Sequence, residues 1–471
     1  SLLAFDAATG KQAWRNTTGA SAWSSPVAGT IQGKHTVVHH TGAMVFGLDP
    51  TSGKTLWEFD TFAAGLASRG KGSALSSTPI IVGDKLFVCS EPTDLLCLNL
   101  ADGKILWKRS NTYEDVYTPA QIAEAKANAE KARPVADRRR KLRSESKTVA
   151  ARLKKTPDDE ALKAKAAELK TALAKVEAEL DKLKGLAIPK AHKVTGYSTP
   201  TPVSDGKFVY VHTGYGTTAC YDLDGKRQWI VKTDKPLHGW AGQCNSPVLA
   251  GGKLMVHVVD AVGLDAATGK EAWRTRGRWF DVFGSAIVVT VDRTELVFDP
   301  NGDVFRVSDG KRMAGRLWSH EFAGPIVEGG IVYAICDKGK VKALKLPAKL
   351  GEKLICEVLW TARIDKDRHY ASPVIHEGLF YALTRASVLT VLDAYTGETV
   401  YVKKLDLGGK GKDEIYPSIT LAGKYIYLSD RHGKTIVISP GREYKQVAVN
   451  TLEPFRSCPV FIGKRMYVRG L

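Results

Sequence analysis

Chemically capable side chains gather at one recurring place in this 471-residue chain, just ahead of a small-residue, Pro and β-branched triplet. These stretches read His238-Gly239-Trp240, Arg278-Trp279-Phe280-Asp281, His320-Glu321, Asp367-Arg368-His369-Tyr370, Asp413-Glu414-Ile415-Tyr416 and Phe455-Arg456. If they converge on one concave mouth, they make a ligand funnel with aromatic walls and a few convergent charges. The candidate ligand-binding set is then His238, Trp240, Arg278, Trp279, Asp281, His320, Glu321, Arg368, His369, Tyr370, Asp413, Glu414 and Arg456. Asp281, His320, Glu321 and His369 also have donor types that suit a divalent ion. Isolated loop histidines more often make ordinary hydrogen bonds, so no metal is expected. The competing reading stays open: Trp240, Trp279 and Tyr416 fill gaps between structural units, and the charges pair with one another.

Recognisable catalytic signatures are missing. HExxH, GxSxG and a glycine-rich phosphate loop do not occur, and the many Asp-Gly-Lys and Thr-Gly-Lys segments read as turns because no helix follows them. Seven cysteines contain no CxxC pair. Cys89, Cys97, Cys220, Cys336 and Cys356 lie in apolar, strand-like runs, where a free thiol behaves as a small hydrophobe. Neither a zinc site nor a disulfide framework is expected, although Cys89 and Cys97 could face each other across a hairpin.

The elements that would position the loops come from an internal repeat. Phe5-Asp6-Ala7-Ala8-Thr9-Gly10-Lys11-Gln12-Ala13-Trp14 returns almost unchanged as Leu264-Asp265-Ala266-Ala267-Thr268-Gly269-Lys270-Glu271-Ala272-Trp273. Further copies end at Trp57, Trp107 and Trp229, and looser ones at Trp318, Trp360 and Tyr401. Between copies lie Pro26-Val27, Pro79-Ile80, Pro202-Val203, Pro247-Val248, Pro325-Ile326, Pro373-Val374 and Pro459-Val460. Proline can open a strand but cannot sit in its middle, so each pair starts a first strand. A glycine turn leads to a second strand, and an alternating run ending in Asp forms a third. The Asp-x-x-Thr-Gly-Lys turn then leads into a fourth strand carrying Trp. Four short strands in 40–50 residues, repeated, make propeller blades, with the Trp wedged between neighbours.

This pattern resembles the pyrroloquinoline-quinone (PQQ) like repeat family, most specifically in its Ala-x-Thr-Gly-Lys-x-x-Trp turn. The resemblance implies an all-β propeller, usually of eight blades. Units start near Pro26, Pro79, Pro202, Pro247, Ala286, Pro325, Pro373 and Pro417, and the half-units 459–471 and 1–14 would supply a ninth. The preferred reconciliation keeps eight blades: the C-terminal strands pair with the strand around Trp57, leaving residues 1–50 as a surplus unit. Quinoprotein dehydrogenases of the related family need a vicinal Cys-Cys pair, a calcium site and a general-base Asp. This chain has no adjacent cysteines, and its carboxylates do not fall on matching motifs, so neither PQQ nor any other cofactor is expected.

Residues 118–190 interrupt the repeat. Thr118-Pro119 marks a helix start; Leu162, Ala166, Leu169, Leu173, Val176, Leu180 and Leu183 step 4-3-4-3-4-3; Val135, Leu142, Val149 and Leu153 answer them. Thr156-Pro157-Asp158-Asp159 turns the chain and caps the second helix. The expectation is a propeller over 1–117 and 191–471 with an antiparallel helical hairpin between. The formal charge is +18, of which the segment 118–190, with 19 Lys/Arg against 11 Asp/Glu, holds a surplus of 8. Without a recognised nucleic-acid module, that charge does not argue for nucleic-acid binding. Arg138, Arg139, Arg140 and Lys141 make the hairpin a candidate docking arm for a protein or an anionic surface; a solvated decoration is the alternative. No apolar run reaches 18 residues, and the chain opens inside a repeat at Ser1-Leu2-Leu3, so it reads as a fragment with any signal or membrane anchor upstream. The family resemblance implies a non-catalytic scaffold for a protein partner outside the cytoplasm, in the periplasm. A small-molecule or sugar-binding propeller is the alternative.

Overall fold

The computed structural model describes residues 1–7, 11–17, 24–31, 34–41, 44–60, 77–91, 93–183, 185–188, 196–233, 245–257, 260–276, 283–319, 322–408 and 415–469. The chain divides into two compact units, Ser1–Thr112 with Ala191–Leu471, and Tyr113–Lys190.

The blade at 248–275 shows how the repeat folds. Its strands are Val248–Ala250, Lys253–His257, Ala261–Asp265 and Glu271–Thr275, antiparallel and hydrogen-bonded in sequence order. The Asp265 carboxylate accepts the Thr268 N–H at 3.0 Å and the Thr268 hydroxyl at 2.9 Å, which ties the turn before the fourth strand. Gly269 completes that turn at φ +70°, a left-handed value costly for other residues. Glycine is also required by the neighbouring blade, because a Cβ at 269 would lie 2.5 Å from Cδ2 of Trp229. The Trp229 ring lies flat on this turn, and its Nε1 donates to the Ala266 carbonyl at 2.9 Å. Equivalent indole-to-carbonyl bonds join Trp14 to Pro50, Trp57 to Leu100, Trp107 to Leu223, Trp273 to Val307 and Trp360 to Ala394, at 2.8–3.0 Å. The Thr-Gly-Lys and Trp halves of the repeat are therefore two sides of one inter-blade contact.

Among the described residues the strands form nine four-stranded sheets. Numbered along the chain, blades 1–8 occupy 27–60, 80–109, 203–232, 248–275, 287–314, 326–363, 374–404 and 420–451. Blade 9 is built from both ends: Leu2–Asp6 pairs antiparallel with Arg465–Arg469, Leu2 opposite Arg469 and Asp6 opposite Arg465. The preferred eight-blade closure is thus corrected. Residues 27–60 make a full blade, and the C-terminal strands find Leu2–Asp6 and not the strand around Trp57. The terminal half-units join because Leu3, Phe5, Met466 and Val468 form one apolar face against blade 8, while Leu2, Ala4 and Tyr467 form the opposite face against Val37, Phe46 and Leu48 of blade 1. Every other seam is likewise a separate apolar cluster spanning two neighbours, so the core is a series of joints around a ring.

Cys89 stands opposite Leu95, and Cys97 opposite Phe87. Both are free thiols in the seam between blades 2 and 3, and burial pushes each up to about 12. The cross-hairpin pairing of these cysteines is corrected accordingly.

In the second unit, α1 (Pro119–Leu153) and α2 (Glu160–Lys182) form the hairpin. Thr118 and Gln121 make a reciprocal capping box, and Asp159 accepts the Leu162 N–H at 3.0 Å. Val135 and Val149 on α1, and Leu162, Leu169 and Val176 on α2, are buried at heptad spacing.

Candidate functional site

Because consecutive strands run antiparallel, the start of each first strand and the end of each second strand reach the same face of the ring. Four residues ahead of the first strands of blades 5–9 stand Phe283, Phe322, Tyr370, Tyr416 and Arg456. The repeat thus delivers one side chain per blade to equivalent positions, and they touch in succession. Phe283 stacks on Phe322 with centroids 5.5 Å apart, Phe322 meets Tyr370 edge-on at 4.8 Å, and Tyr370 stacks on Tyr416 at 5.4 Å. The Arg456 guanidinium closes the arc 4.8 Å from the Tyr416 ring. Arg368 lies 5.9 Å over Phe322, and its Nη1 donates to the Tyr370 hydroxyl at 3.4 Å.

Between blades 6 and 7 this arc borders a cavity of about 140 Å³ whose walls include Phe322, Lys338, Lys366, Arg368 and His369. His369 is buried, while Lys338, Lys366 and Arg368 are exposed at the rim. Asp367 is held by Arg385 at 2.8 Å. Asp337 and Asp367 also line the cavity, so its charge is mixed, and a cavity this small suits a compact group more than a drug-sized ligand.

The structure brings three of the sequence-derived funnel residues, Arg368, Tyr370 and Arg456, onto one arc and places a fourth, His369, in the wall of the adjoining cavity. His238, Trp240, Arg278, Trp279, Asp281, His320, Glu321, Asp413 and Glu414 lie outside the described residues. Of the possible metal donors only His369 is described, and among the described residues no group of three or more His, Cys, Asp or Glu is placed to hold an ion. In the hairpin, Arg138 pairs with Glu179, and Arg140 with Asp137 at 3.0 Å, whereas Arg139 and Lys141 carry no ion pair among the described residues.

Sequence reasoning missed a second tier on the same face, at the ends of the second strands. His40, Glu91, His212, His257, Asp299, Asp430 and Arg469 all lie there, buried. Their signal was the strand register: Val38-His39-His40, Tyr210-Val211-His212 and Met255-Val256-His257 align when Val38, Tyr210 and Met255, the residues opposite Val27, Val203 and Val248 at the starts of the first strands, are superposed. Burial, with Arg469 nearby, pushes His40 down to about 3, and burial with His257 nearby does the same to His212. Burial alone pushes His257 down to about 4. All three are neutral imidazoles near pH 7. His212 Nδ1 sits 2.9 Å from the Thr218 hydroxyl. Asp299 is pushed up to about 8 by burial and by the Asp303 carboxylate, which keeps it a neutral acid at pH 7. Glu91 accepts the Tyr197 N–H at 2.9 Å and the Ser198 hydroxyl at 2.8 Å, fixing the strand entry of blade 3. Burial raises it despite these bonds. Arg469 Nη1 donates to the Ser24 carbonyl at 2.7 Å, linking blade 9 to the entry of blade 1.

Set against known proteins, the chain matches the family model described as outer membrane protein assembly factor BamB over residues 1–139 and 174–341. No curated protein matches it. Among solved structures it is similar to BamB from Moraxella catarrhalis at 12% identity and a TM-score of 0.44, covering 81% of this chain and 88% of that one. It is similar to a europium-containing methanol dehydrogenase at 12% identity and 0.48, covering 95% and 82%. A quinohemoprotein alcohol dehydrogenase from Comamonas testosteroni gives 13% identity and 0.45, covering 93% and 72%. The family model spans more than half of the 471 residues, and the chain therefore belongs to the PQQ-like β-propeller family described as outer membrane protein assembly factor BamB.

Proposed function

We propose that the chain is a non-catalytic scaffold that holds a protein partner outside the cytoplasm, working without quinone or metal. The observation that carries this reading is the match to an assembly-factor family over most of the propeller. Surface chemistry supports it. The fourth strands Glu357–Arg363, Thr399–Lys404 and Lys445–Thr451 are the outer edges of blades 6, 7 and 8. They expose Val358 (56%), Val402 (58%) and Val449 (44%) on three consecutive blades. Apolar side chains on open strand edges invite a partner's surface. Among the described residues no helix is long and apolar enough to cross a membrane. Affinity purification of the tagged chain should recover a stoichiometric protein partner, and Val402→Lys with Val449→Lys should lose it while melting normally. Recovery unchanged in that variant removes the outer edges from the account.

The second reading, a small-molecule propeller, is favoured by the stacked arc and the cavity beside His369. It expects a melting temperature that rises with ligand as RT ln(1 + [L]/Kd), an effect Arg368→Ala should abolish.

A further inference from the structure

The helical unit contains a groove far larger than the propeller's cavity, about 1410 Å³ against about 140 Å³. It follows α1 from Lys126 to Lys147, a path of about 32 Å at 1.5 Å per residue. We propose that it receives an acidic amphipathic helix of a partner protein, packed as the third member of the coiled coil.

Four features of the groove point to that occupant. The first is periodicity. Lys126, Ala129, Arg133, Ala136, Arg140, Arg143 and Lys147 step 3-4-3-4-3-4 along α1, centred roughly 130° round the helix from the Val135, Leu142 and Val149 stripe that α2 covers. The seven share one largely exposed face of α1, five cations and two alanines, which α2 leaves open. The second is shape. A helix about 10 Å across and half sunk along 32 Å occupies roughly 1,300 Å³, close to the groove, whereas small-molecule pockets stop near about 1,000 Å³.

The third feature is the floor, where Ala129, Ala132 and Ala136 are small enough for close backbone approach and Leu183, Leu186 and Ile188 close one end. The Leu186 carbonyl is fixed there by Asn128 Nδ2 at 3.0 Å. The fourth is charge: six cations against two carboxylates, Glu130 and Asp137. Arg140 and Arg143 are occupied by Asp137 and Glu177, while Lys126, Arg133, Arg139 and Lys147 carry no ion pair among the described residues. Those four would meet carboxylates flanking an apolar stripe on the incoming helix. Nucleic acid fits less well. The apolar floor gives phosphates nothing, the two carboxylates repel them, and no aromatic ring lines the groove for base stacking.

The test uses the full chain and a fluorescein-labelled 21-residue model helix with Leu at heptad a and d positions and Glu at e and g. Fluorescence anisotropy should show saturable binding that weakens with salt. Arg133→Glu, Arg139→Glu and Lys147→Glu together should weaken it by about 3- to 150-fold, the range three exposed ion pairs span. Ala136→Gln, which fills the floor without touching charge, should also weaken it, with helicity by circular dichroism unchanged in both variants. Failure to bind the model helix, equal binding of a sequence-scrambled acidic peptide, or tighter binding of single-stranded RNA or phosphatidylserine vesicles overturns the proposal. Such a result leaves the scaffold reading of the propeller intact, because the groove belongs wholly to the helical unit.

Discussion

Replacing Gly269 by alanine tests the joint that the repeat builds between blades. Two costs are expected. Holding alanine at φ +70° costs about 1–2 kcal/mol. The new Cβ would stand 2.5 Å from Trp229 Cδ2, so the indole must withdraw. Withdrawal loses part of its burial, for which complete truncation of a buried tryptophan to alanine, about 3–5 kcal/mol, sets the ceiling. It also strains the Nε1 bond to Ala266, worth about 0.5–1.5 kcal/mol. Gly269→Ala should therefore cost roughly 3–4 kcal/mol in total, drawn from these two contributions. The assay is a double-mutant cycle by urea unfolding with Trp229→Ala. In the alanine background the clash disappears and only the backbone cost of about 1–2 kcal/mol remains, a coupling of about 2 kcal/mol. Equal costs in both backgrounds would refute the stacked contact and reduce the glycine to an ordinary turn residue.

Three further outcomes follow from buried groups and closure. Asp299 sits at about 8 in the folded chain against an ordinary 3.8, so its contribution to stability is complete below pH 4 and is lost as pH rises through about 8; Asp299→Asn should flatten urea stability between pH 4 and 8. The neutral histidines have the opposite sign. His212 at about 3 and His257 at about 4, against 6.5, stabilise above pH 6.5 and lose that contribution as pH falls toward 3. His212→Gln should therefore shift the acid-unfolding midpoint to lower pH, and an unchanged midpoint removes the buried-imidazole account. Asp6 and Arg465 are paired across the closure, so Asp6→Cys with Arg465→Cys should form an intramolecular disulfide under mild oxidation, detected by peptide mass spectrometry and absent in urea.

Strand order, the inter-blade tryptophans and the hairpin seam were readable because each is written locally. The Asp, Gly and Trp of one turn lie within ten residues, and Leu162, Leu169 and Val176 repeat at seven. Closure was harder to read. Whether 459–469 meets residues 2–6 or the strand at Thr55–Asp60 depends on which faces remain uncovered around the whole ring, and eight and nine units use the same local pattern. The site was half legible. Arg368, Tyr370 and Arg456 stand out as charged or aromatic residues in loops, and the placement of Tyr370 and Arg456 on one arc follows from their common distance before a proline strand. His212 and His257 were passed over because they terminate apolar strands. A histidine there looks like the edge of a core until three blades are aligned and the position repeats.

The proposed scaffold role expects this propeller, which has no adjacent cysteines, to hold a protein partner and to work without quinone. The most direct measurement is titration of the purified chain with pyrroloquinoline quinone and calcium, followed by tryptophan fluorescence and by dye reduction with primary alcohols. The expected result is no saturable quenching and no reduction above the protein-free rate. Stoichiometric quenching accompanied by alcohol-dependent dye reduction would contradict the account.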